Sequence, residues 1–358
     1  MTDAARSGGL GAGSVPPASE RIAVVVNGNA RSVTDEVIST LDQILLGGDL
    51  FVSRKLEDSR EIAKTLIARG YGTVLTGGGD GTFTVIVSDV IREARAQSRP
   101  LPRFGLLKLG TGNALAWVVG ASRAKGRGLA ADIQRLREDA GSRRVRLVEV
   151  DGFLTPFAGF GIDAVVLRDY NEARAMLQKT VLRRYASGGL GYVVGSVTRS
   201  LPSYFFRAEP HCRVTNEGKD AYRMGDKGQT LGPPIPKGEV IYEGPAKIAA
   251  LGSIPFYGFG FRFFPFADER EDRMQLRVST IGPVQFVRSF RAIWRGEFHD
   301  PSVVFDYLVD AVRIEVDPPT VFQIGGDPRG ERTSVSARLS PEVLRIVDFY
   351  APPRADDS

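Results

Sequence analysis

Apolar runs and amphipathic segments alternate along the first third of the chain. A continuous apolar run predicts a strand buried on both faces at 22–26, and further strands are predicted at 50–55, 72–76 and 103–108. Apolar residues at helical spacing predict helices at 34–46, 58–69, 83–96 and from 114 onward. Strand and helix therefore alternate four times with short connections. This order favours an α/β domain built on a parallel sheet with helices on both faces.

The pattern changes from about Arg143, where short β-branched and aromatic runs are separated by turns. These runs predict antiparallel strands at 274–281, 302–305, 312–316, 321–324, 334–339 and 343–349. Residues 213–239 are polar and predict a long loop or hairpin excursion. The stretch 254–266 carries seven Phe or Tyr residues in thirteen positions and predicts a bulged strand. Core packing is the favoured interpretation of these aromatics, and an apolar cleft for an acyl chain is the alternative.

Two terminal segments predict tails outside the folded domains. Residues 1–20 are rich in Gly, Ser, Pro and Ala, lack the apolar core of a secretory signal, and predict a disordered tail. Residues 351–358 predict a loose tail. The longest uncharged stretch, 248–261, has 14 residues, fewer than the roughly 20 that a membrane-spanning helix needs. We expect a cytoplasmic protein.

Charge and composition exclude several classes of site. The 47 Lys and Arg residues exceed the 42 Asp and Glu residues by only five, and no long block of one sign concentrates the charge. This does not favour nucleic-acid binding. One cysteine and two histidines exclude a disulfide framework, a cysteine-rich zinc site and a multi-histidine metal centre. A predicted helix at 165–185 carries Arg174, Lys179, Arg183 and Arg184, which either contact anionic lipid or form a solvated face.

Two glycine-rich loops follow neighbouring predicted strands. Thr76 to Thr82 reads TGGGDGT, and Leu109 to Leu115 reads LGTGNAL. Glycines leave backbone N–H groups free to face an anion at a helix N-terminus. Asp80 would repel a phosphate unless a divalent cation lies between them, which indicates Mg²⁺ with a nucleotide or a role in proton transfer. A tight turn without a ligand is the alternative for either loop alone, and the pair favours a nucleotide site.

GGDGT followed by GTGN resembles the diacylglycerol kinase catalytic domain, a group that includes sphingosine and ceramide kinases. Weaker similarities are GFGIDA at 159–164 and the pattern Pro265-x-Ala267 with Asp272. The resemblance implies an ATP-binding domain at 21–149, with a fold like those of NAD kinase and phosphofructokinase. It also implies a mainly antiparallel β-sandwich at 150–350 that receives a lipid, with peripheral contact at the inner membrane surface. ATP and Mg²⁺ are the expected cofactors, and the oligomeric state stays open.

The resemblance also implies roles for individual residues. Nucleotide-binding positions are expected at Asn27, Ser53, Gly78, Gly79, Gly81, Thr82, Gly110, Thr111, Gly112 and Asn113. Asp80 is expected to position Mg²⁺, and Asp272 falls where some members bind a structural Mg²⁺, although Arg273 replaces the usual glycine. The family's general base position is occupied by Gly325, and Asp327 is the nearest carboxylate. Asp327 is therefore either the base or a turn residue before Pro328.

Two other functions remain open at this point. The first is phosphorylation of a soluble nucleotide, as in NAD kinase, which shares GGDGT but not the aromatic second half. The second is a regulatory pseudokinase, which the glycine at the base position favours. Lys108 precedes the second loop where proline is usual, and it could pair with a phosphate or be solvated.

Overall fold

The computed structural model describes residues 21–30, 33–45, 49–110, 113–122, 127–137, 141–161, 209–258 and 260–350. The predictions for the two tails, for the helix at 165–185 with its four basic residues, and for Thr111 and Gly112 lie outside these residues. No helix in the described part of the chain is both long and apolar enough to span a membrane.

The first part alternates strand and helix as the sequence pattern predicts. Its elements are β1 (Ile22–Asn27), α1 (Asp35–Leu45), β2 (Leu50–Ser53), α2 (Leu56–Arg69), β3 (Thr73–Gly78), α3 (Asp80–Ala96), β4 (Arg103–Lys108), α4 (Ala114–Val118) and α5 (Arg127–Arg137). The last residue of α2 is followed by Gly70 in the left-handed conformation, which ends the helix.

The second part is dominated by strands. They are β5 (Ser142–Val145), β6 (Val148–Val150), β7 (Phe153–Thr155), β8 (Phe157–Gly161), β9 (His211–Asn216), β10 (Ala221–Met224), β11 (Thr230–Ile235), β12 (Val240–Pro245), β13 (Ile248–Gly252) and β14 (Met274–Ser279). Helix α6 (Pro283–Arg295) follows, and then β15 (Val304–Val309), β16 (Ala311–Ile324), β17 (Asp327–Leu339) and β18 (Leu344–Val347).

The strands form two sheets. The first has the order β2-β1-β3-β4-β18-β5, with parallel pairs except at β18-β5. The second has 12 strands, and its described pairs are antiparallel. The predicted fold class is thereby confirmed: a mostly parallel sheet with helices precedes a large antiparallel region. Because β18 returns to the first sheet, the end of the chain packs with the N-terminal domain.

The first sheet is buried on both faces. Ala23, Val24, Val25 and Val26 of β1 are fully inaccessible to solvent, as expected for a strand covered by helices on each side. Helices α2 and α3 pack together, and the hydroxyl of Ser59 donates a hydrogen bond to Asp89. This rigid core fixes the strand ends at which the glycine loops begin.

Two local predictions were wrong, and one helix was missed. Helix α3 begins at Asp80 rather than near Phe83, so most of the GGDGT motif forms its first turn. In the aromatic stretch, the described residues 254–258 and 260–266 form bends and turns with one bridge between Gly258 and Phe261 instead of a strand, although Phe264 is fully buried. Helix α6 was not predicted.

Candidate active site

The carboxyl ends of three neighbouring strands bring the predicted motifs to one edge of the first sheet. Asn27 ends β1, Gly78 ends β3 and Lys108 ends β4. Val26 pairs with Gly77, and Gly78 pairs with Lys108, so the three ends lie side by side. This edge is where ligands bind in parallel α/β sheets.

The two glycine loops pack backbone against backbone. A Cβ placed on Gly110 would lie 2.3 Å from the Gly79 Cα and 2.6 Å from the Gly78 carbonyl oxygen. A Cβ on Gly78 would lie 2.4 Å from the Thr82 hydroxyl oxygen. Glycine is therefore required at 110 by the close approach of the two loops, and at 78 by the Thr82 side chain of the same motif.

Asp80 joins the first loop to the helix that follows the second. One carboxylate oxygen accepts a hydrogen bond from the Ala114 N–H at 2.8 Å, and the other accepts from the Leu115 N–H at 3.4 Å. Asp80 is 7% exposed. Burial raises its pKa to about 6, nearby Asp327 adds to the increase, and the two backbone hydrogen bonds oppose it. The side chain expected to hold Mg²⁺ thus also caps α4.

Asn113 occupies a strained position between the second loop and α4. Its φ of 47° is in the left-handed region, which asparagine tolerates better than most residues. Its side-chain amide donates to the Gly110 carbonyl oxygen at 2.5 Å. The residue is 1% exposed, and no donor in the described part of the chain reaches its Oδ1. A buried acceptor without a donor indicates that a partner is supplied from elsewhere.

The remaining predicted nucleotide contacts lie around the end of β1. The Asn27 side-chain amide donates a hydrogen bond to the Thr82 hydroxyl at 3.2 Å. Thr82 itself lies in the first turn of α3. Ser53 lies opposite Asn27 in the sheet, and its hydroxyl donates to the Lys55 carbonyl at 3.2 Å. Asn27 and Thr82 border the first glycine loop directly.

The hairpin between β16 and β17 brings Asp327 to the first glycine loop. Ile324 pairs with Asp327 across a two-residue turn, and both turn residues, Gly325 and Gly326, have positive φ. A Cβ on Gly81 would lie 2.5 Å from an Asp327 carboxylate oxygen. The side chain keeps an exposed surface, but the surrounding protein atoms desolvate the carboxylate and raise its pKa. The structure therefore places Asp327 beside Gly81 of GGDGT.

Residue 325 must be glycine because the hairpin packs closely against α3 and β7. Its φ is 58°, and an added Cβ would lie 2.8 Å from the Thr84 hydroxyl and 3.0 Å from the Thr155 hydroxyl. A side chain at 325 would therefore push the hairpin away from α3. The carboxylate that the family carries at this position is absent, and the carboxylate of Asp327 reaches the loop instead.

Sequence reasoning missed the residues that support this hairpin. The Gln323 side-chain amide donates to the Tyr257 hydroxyl at 2.8 Å, and its Oε1 accepts from the Gly326 N–H at 2.8 Å. Thr84 donates to Thr155 at 3.3 Å, which ties α3 to β7. These contacts join residues far apart in sequence, so no local pattern marks them.

Asp272 lies in different surroundings from those expected of a metal ligand. Its carboxylate contacts the guanidinium groups of Arg273 and Arg270. Burial opposes ionisation, but the two positive charges outweigh it and lower the pKa of Asp272. The described residues contain no group of three or more His, Cys, Asp or Glu that could hold a metal ion. Arg273 supplies the positive charge at this position.

Lys108 does not point into solvent. Its ammonium lies 4.2 Å from the centroid of the Trp117 ring, in a cation–π contact. Trp117 also lines a cavity of about 340 Å³ together with Phe256 and Arg144. Neither Asp80 nor Asp327 lies in the wall of this cavity. The cavity is therefore adjacent to the glycine loops and not centred on them.

The geometry at the sheet edge agrees with a comparison against known families. Residues 21–149 match the family model of the diacylglycerol kinase catalytic domain. The resemblance inferred from the two glycine motifs is confirmed.

Proteins similar to this chain carry kinase names. A Pseudomonas aeruginosa protein named "Probable lipid kinase YegS-like" is 28% identical over 184 residues, which cover 50% of this chain and 54% of that protein. The match thus spans about half the length of the curated relative. A crystal structure of a diacylglycerol kinase from Bacillus anthracis strain Sterne has a TM-score of 0.59 and 14% identity, covering 92% of this chain and 97% of that one. The latter similarity shows that the fold extends over both sheets.

Proposed function

We propose that the protein is an ATP-dependent lipid kinase that transfers the γ-phosphoryl group of ATP to a lipid hydroxyl. One observation carries the proposal: the Asp327 carboxylate, from the second sheet, lies against Gly81 in the glycine loop of a diacylglycerol kinase catalytic domain. A proton acceptor and a phosphate-binding loop are thereby adjacent. Phosphoryl transfer to an alcohol needs both groups at one place.

Phosphate binding is assigned to the backbone around the first turn of α3. Gly79 is the N-cap residue in an extended conformation, and the helix runs for 17 residues from Asp80. Unpaired N–H groups at such a helix start favour an anion. The Thr82 hydroxyl and the Asn27 amide border the same turn, so they are assigned to the edge of the phosphate site.

Proton transfer is assigned to Asp327. As the lipid oxygen forms its bond to the γ-phosphorus, the bond from that phosphorus to the β–γ bridging oxygen breaks and ADP leaves. The hydroxyl proton passes to the Asp327 carboxylate. Burial raises the pKa of this carboxyl group, which makes its carboxylate a stronger proton acceptor.

The acidic pair fits a magnesium nucleotide. Burial and the proximity of Asp327 raise the pKa of Asp80, and a divalent cation beside them would relieve the cost of the two charges. Kinase sites hold Mg²⁺ through one or two carboxylates together with the phosphates, so a cluster of three acidic residues is not required. When bound, Mg²⁺ would neutralise charge on the transferred phosphoryl group.

The acceptor is assigned to the lipid class because of the aromatic wall behind the hairpin. Tyr257 packs on Phe157 with ring centroids 4.2 Å apart and on Phe263 at 5.4 Å. The same tyrosine hydroxyl holds Gln323 at the base of the hairpin. The aromatic cluster thus supports the hairpin that carries Asp327, and apolar surroundings of this kind suit an acceptor with an acyl chain and a hydroxyl group.

The test is incubation of the protein with labelled ATP, Mg²⁺ and a total lipid extract, followed by identification of labelled lipids. Asp327→Asn should lower kcat by about 100-fold or more, because it removes the proton acceptor and keeps the size of the side chain. Asp42→Asn, an exposed carboxylate on α1, is the matched control and should keep wild-type turnover.

Two other outcomes would contradict the proposal. Labelling of NAD without labelling of lipid would assign a soluble nucleotide as acceptor. Binding of ATP without turnover in any lipid fraction would identify a regulatory pseudokinase. Unchanged kcat in Asp327→Asn would reject Asp327 as the base while leaving the kinase assignment in place.

A further inference from the structure

Helix α6 presents aromatic and basic side chains at the protein surface. Phe286, Phe290 and Trp294 are spaced four residues apart, and the Phe290 ring contacts the rings of the other two. Phe290 is 46% exposed and Trp294 is 36% exposed, which is unusual for residues of this size. Ile293 of the same helix is 7% exposed, so α6 is also anchored to the protein.

Three arginines lie beside this aromatic row. Arg288, Arg291 and Arg295 are exposed, and α6 contains no acidic residue. None of the three forms an ion pair with another residue in the described part of the chain. Arg295 has a local role as well, because a cation in the last turn stabilises the helix dipole. The other two have no such role.

The exposed aromatic row continues inward to the candidate active site. The Trp294 ring stacks on Phe261 at 5.1 Å, Phe261 contacts Phe263 at 5.3 Å, and Phe263 contacts Tyr257 at 5.4 Å. Tyr257 accepts the hydrogen bond of Gln323 at the base of the Asp327 hairpin. A series of aromatic contacts therefore connects the surface of α6 to the base of the hairpin that carries Asp327.

We propose that α6 is the surface through which the protein docks on an anionic lipid bilayer, with Phe290 and Trp294 entering the interface. The inference rests on the proposed lipid kinase function, whose acceptor must leave a bilayer to reach Asp327. Three exposed arginines complement anionic headgroups, and aromatic side chains favour the boundary between headgroups and acyl chains.

Tryptophan fluorescence provides a direct test, because the chain has only two tryptophans. Trp117→Phe leaves Trp294 as the reporter. Vesicles of phosphatidylcholine with phosphatidylglycerol should shift its emission to the blue, and brominated acyl chains should quench it. Vesicles of phosphatidylcholine alone should have little effect. An unchanged Trp294 spectrum with protein that still sediments on the anionic vesicles would overturn the proposal.

Two triple variants test whether the arginines of α6 bind the anionic headgroups. Arg288→Gln with Arg291→Gln and Arg295→Gln should weaken binding to anionic vesicles by about tenfold or more. The control removes three exposed positive charges elsewhere, through Arg60→Gln, Arg99→Gln and Lys237→Gln, and should weaken binding by about twofold at most. An equal loss in both triple variants would reduce the effect to net charge and overturn the assignment to α6.

Phe290→Asp tests the aromatic part without changing the arginines. It should abolish quenching by brominated lipid while the far-ultraviolet circular dichroism stays unchanged. The wild type could instead self-associate without binding vesicles, and Phe290→Asp could remove that self-association. This result would identify a second copy of the chain, and not a bilayer, as the partner of α6. Vesicle binding needs no turnover, so binding by a protein inactive on detergent-dispersed lipid would support the docking surface and reject the kinase function.

Discussion

The Asp327 carboxylate lies against the Cα of Gly81, so close that a Cβ on Gly81 would be 2.5 Å from Oδ2. Two distant parts of the chain therefore share one contact at the predicted site of chemistry. Glycine at 81 is required by the position of the carboxylate, in addition to any requirement set by a phosphate. This relationship makes the two positions energetically coupled.

Gly81→Ala should lower kcat by about tenfold or more, because the added methyl group displaces the carboxylate from the loop. Its effect should shrink in an Asp327→Ala background, where no carboxylate is left to displace. A double-mutant cycle on kcat/KM measures this coupling. Additive effects of the two substitutions would show that Gly81 acts without Asp327.

The raised pKa of Asp80 predicts a pH-dependent contribution to stability. The pKa rises from an ordinary value of 3.8 to about 6 on folding, so the folded protein binds more protons than the unfolded chain between about pH 4 and pH 6. Stability from this group is complete below that window and is lost as the pH rises through about 6. The loss is at most about 3 kcal/mol.

Asp80→Asn keeps an acceptor for the Ala114 N–H and removes the titration. The free energy of unfolding of the wild type, minus that of Asp80→Asn, should therefore fall as the pH rises from 4 to 7. Urea denaturation at a series of pH values measures the difference. A difference that is constant with pH would show that the carboxylate is not desolvated as the structure indicates.

Local sequence patterns predicted the parallel domain well because its strands are buried on both faces. The bounds of β4, Arg103–Lys108, match the predicted apolar run. The meeting of the glycine loops followed from the sheet alone, since adjacent parallel strands end at one edge. The start of α3 could not be predicted, because Asp80, Gly81 and Thr82 are poor helix formers. A contact with the distant Ala114 N–H holds them in the first turn.

Tertiary contacts decide the elements that were missed. Gly258 and Gly260 adopt φ of 140° and 81°, which breaks the strand predicted at 254–266. Helix α6 did carry a local signal: Pro283 in its first turn, Gly296 in the left-handed conformation at its end, and aromatics at a spacing of four. The proximity of Asp327 to Gly81 depends on a hairpin of the second sheet and has no such signal.

Packing of the two glycine loops predicts contrasting effects of two alanines. Gly110→Ala should destabilise the protein by about 1–3 kcal/mol, because its Cβ would lie 2.3 Å from the Gly79 Cα and backbone cannot move aside easily. Gly79→Ala is the matched control, since its Cβ meets only the Gly110 Cα at 3.9 Å. Thermal unfolding of both variants measures the difference. Equal destabilisation would mean that the loops are not held in contact.

The pairing of Asp272 with two arginines predicts that this carboxylate needs no metal ion. Arg273 is 5% exposed, and its guanidinium donates to the backbone carbonyl oxygens of Asp272 at 2.9 Å and Asp220 at 3.3 Å. Arg273→Ala should therefore cost about 2 kcal/mol or more, because it leaves buried acceptors without donors. Exposed Arg313→Ala on β16 is the control and should cost less than about 1 kcal/mol.

The effect of Mg²⁺ on the unfolding temperature distinguishes the pairing of Asp272 with arginines from a structural metal site. Without nucleotide, the wild-type unfolding temperature should change by less than about 1 °C between EDTA and millimolar Mg²⁺, because the Arg273 guanidinium already holds the oxygens that a cation would bind. Arg273→Gly restores the residue expected from the family resemblance and frees those oxygens, so Mg²⁺ should raise the unfolding temperature of this variant. Stabilisation of the wild type by Mg²⁺ that is lost in Asp272→Asn would instead establish Asp272 as a metal ligand.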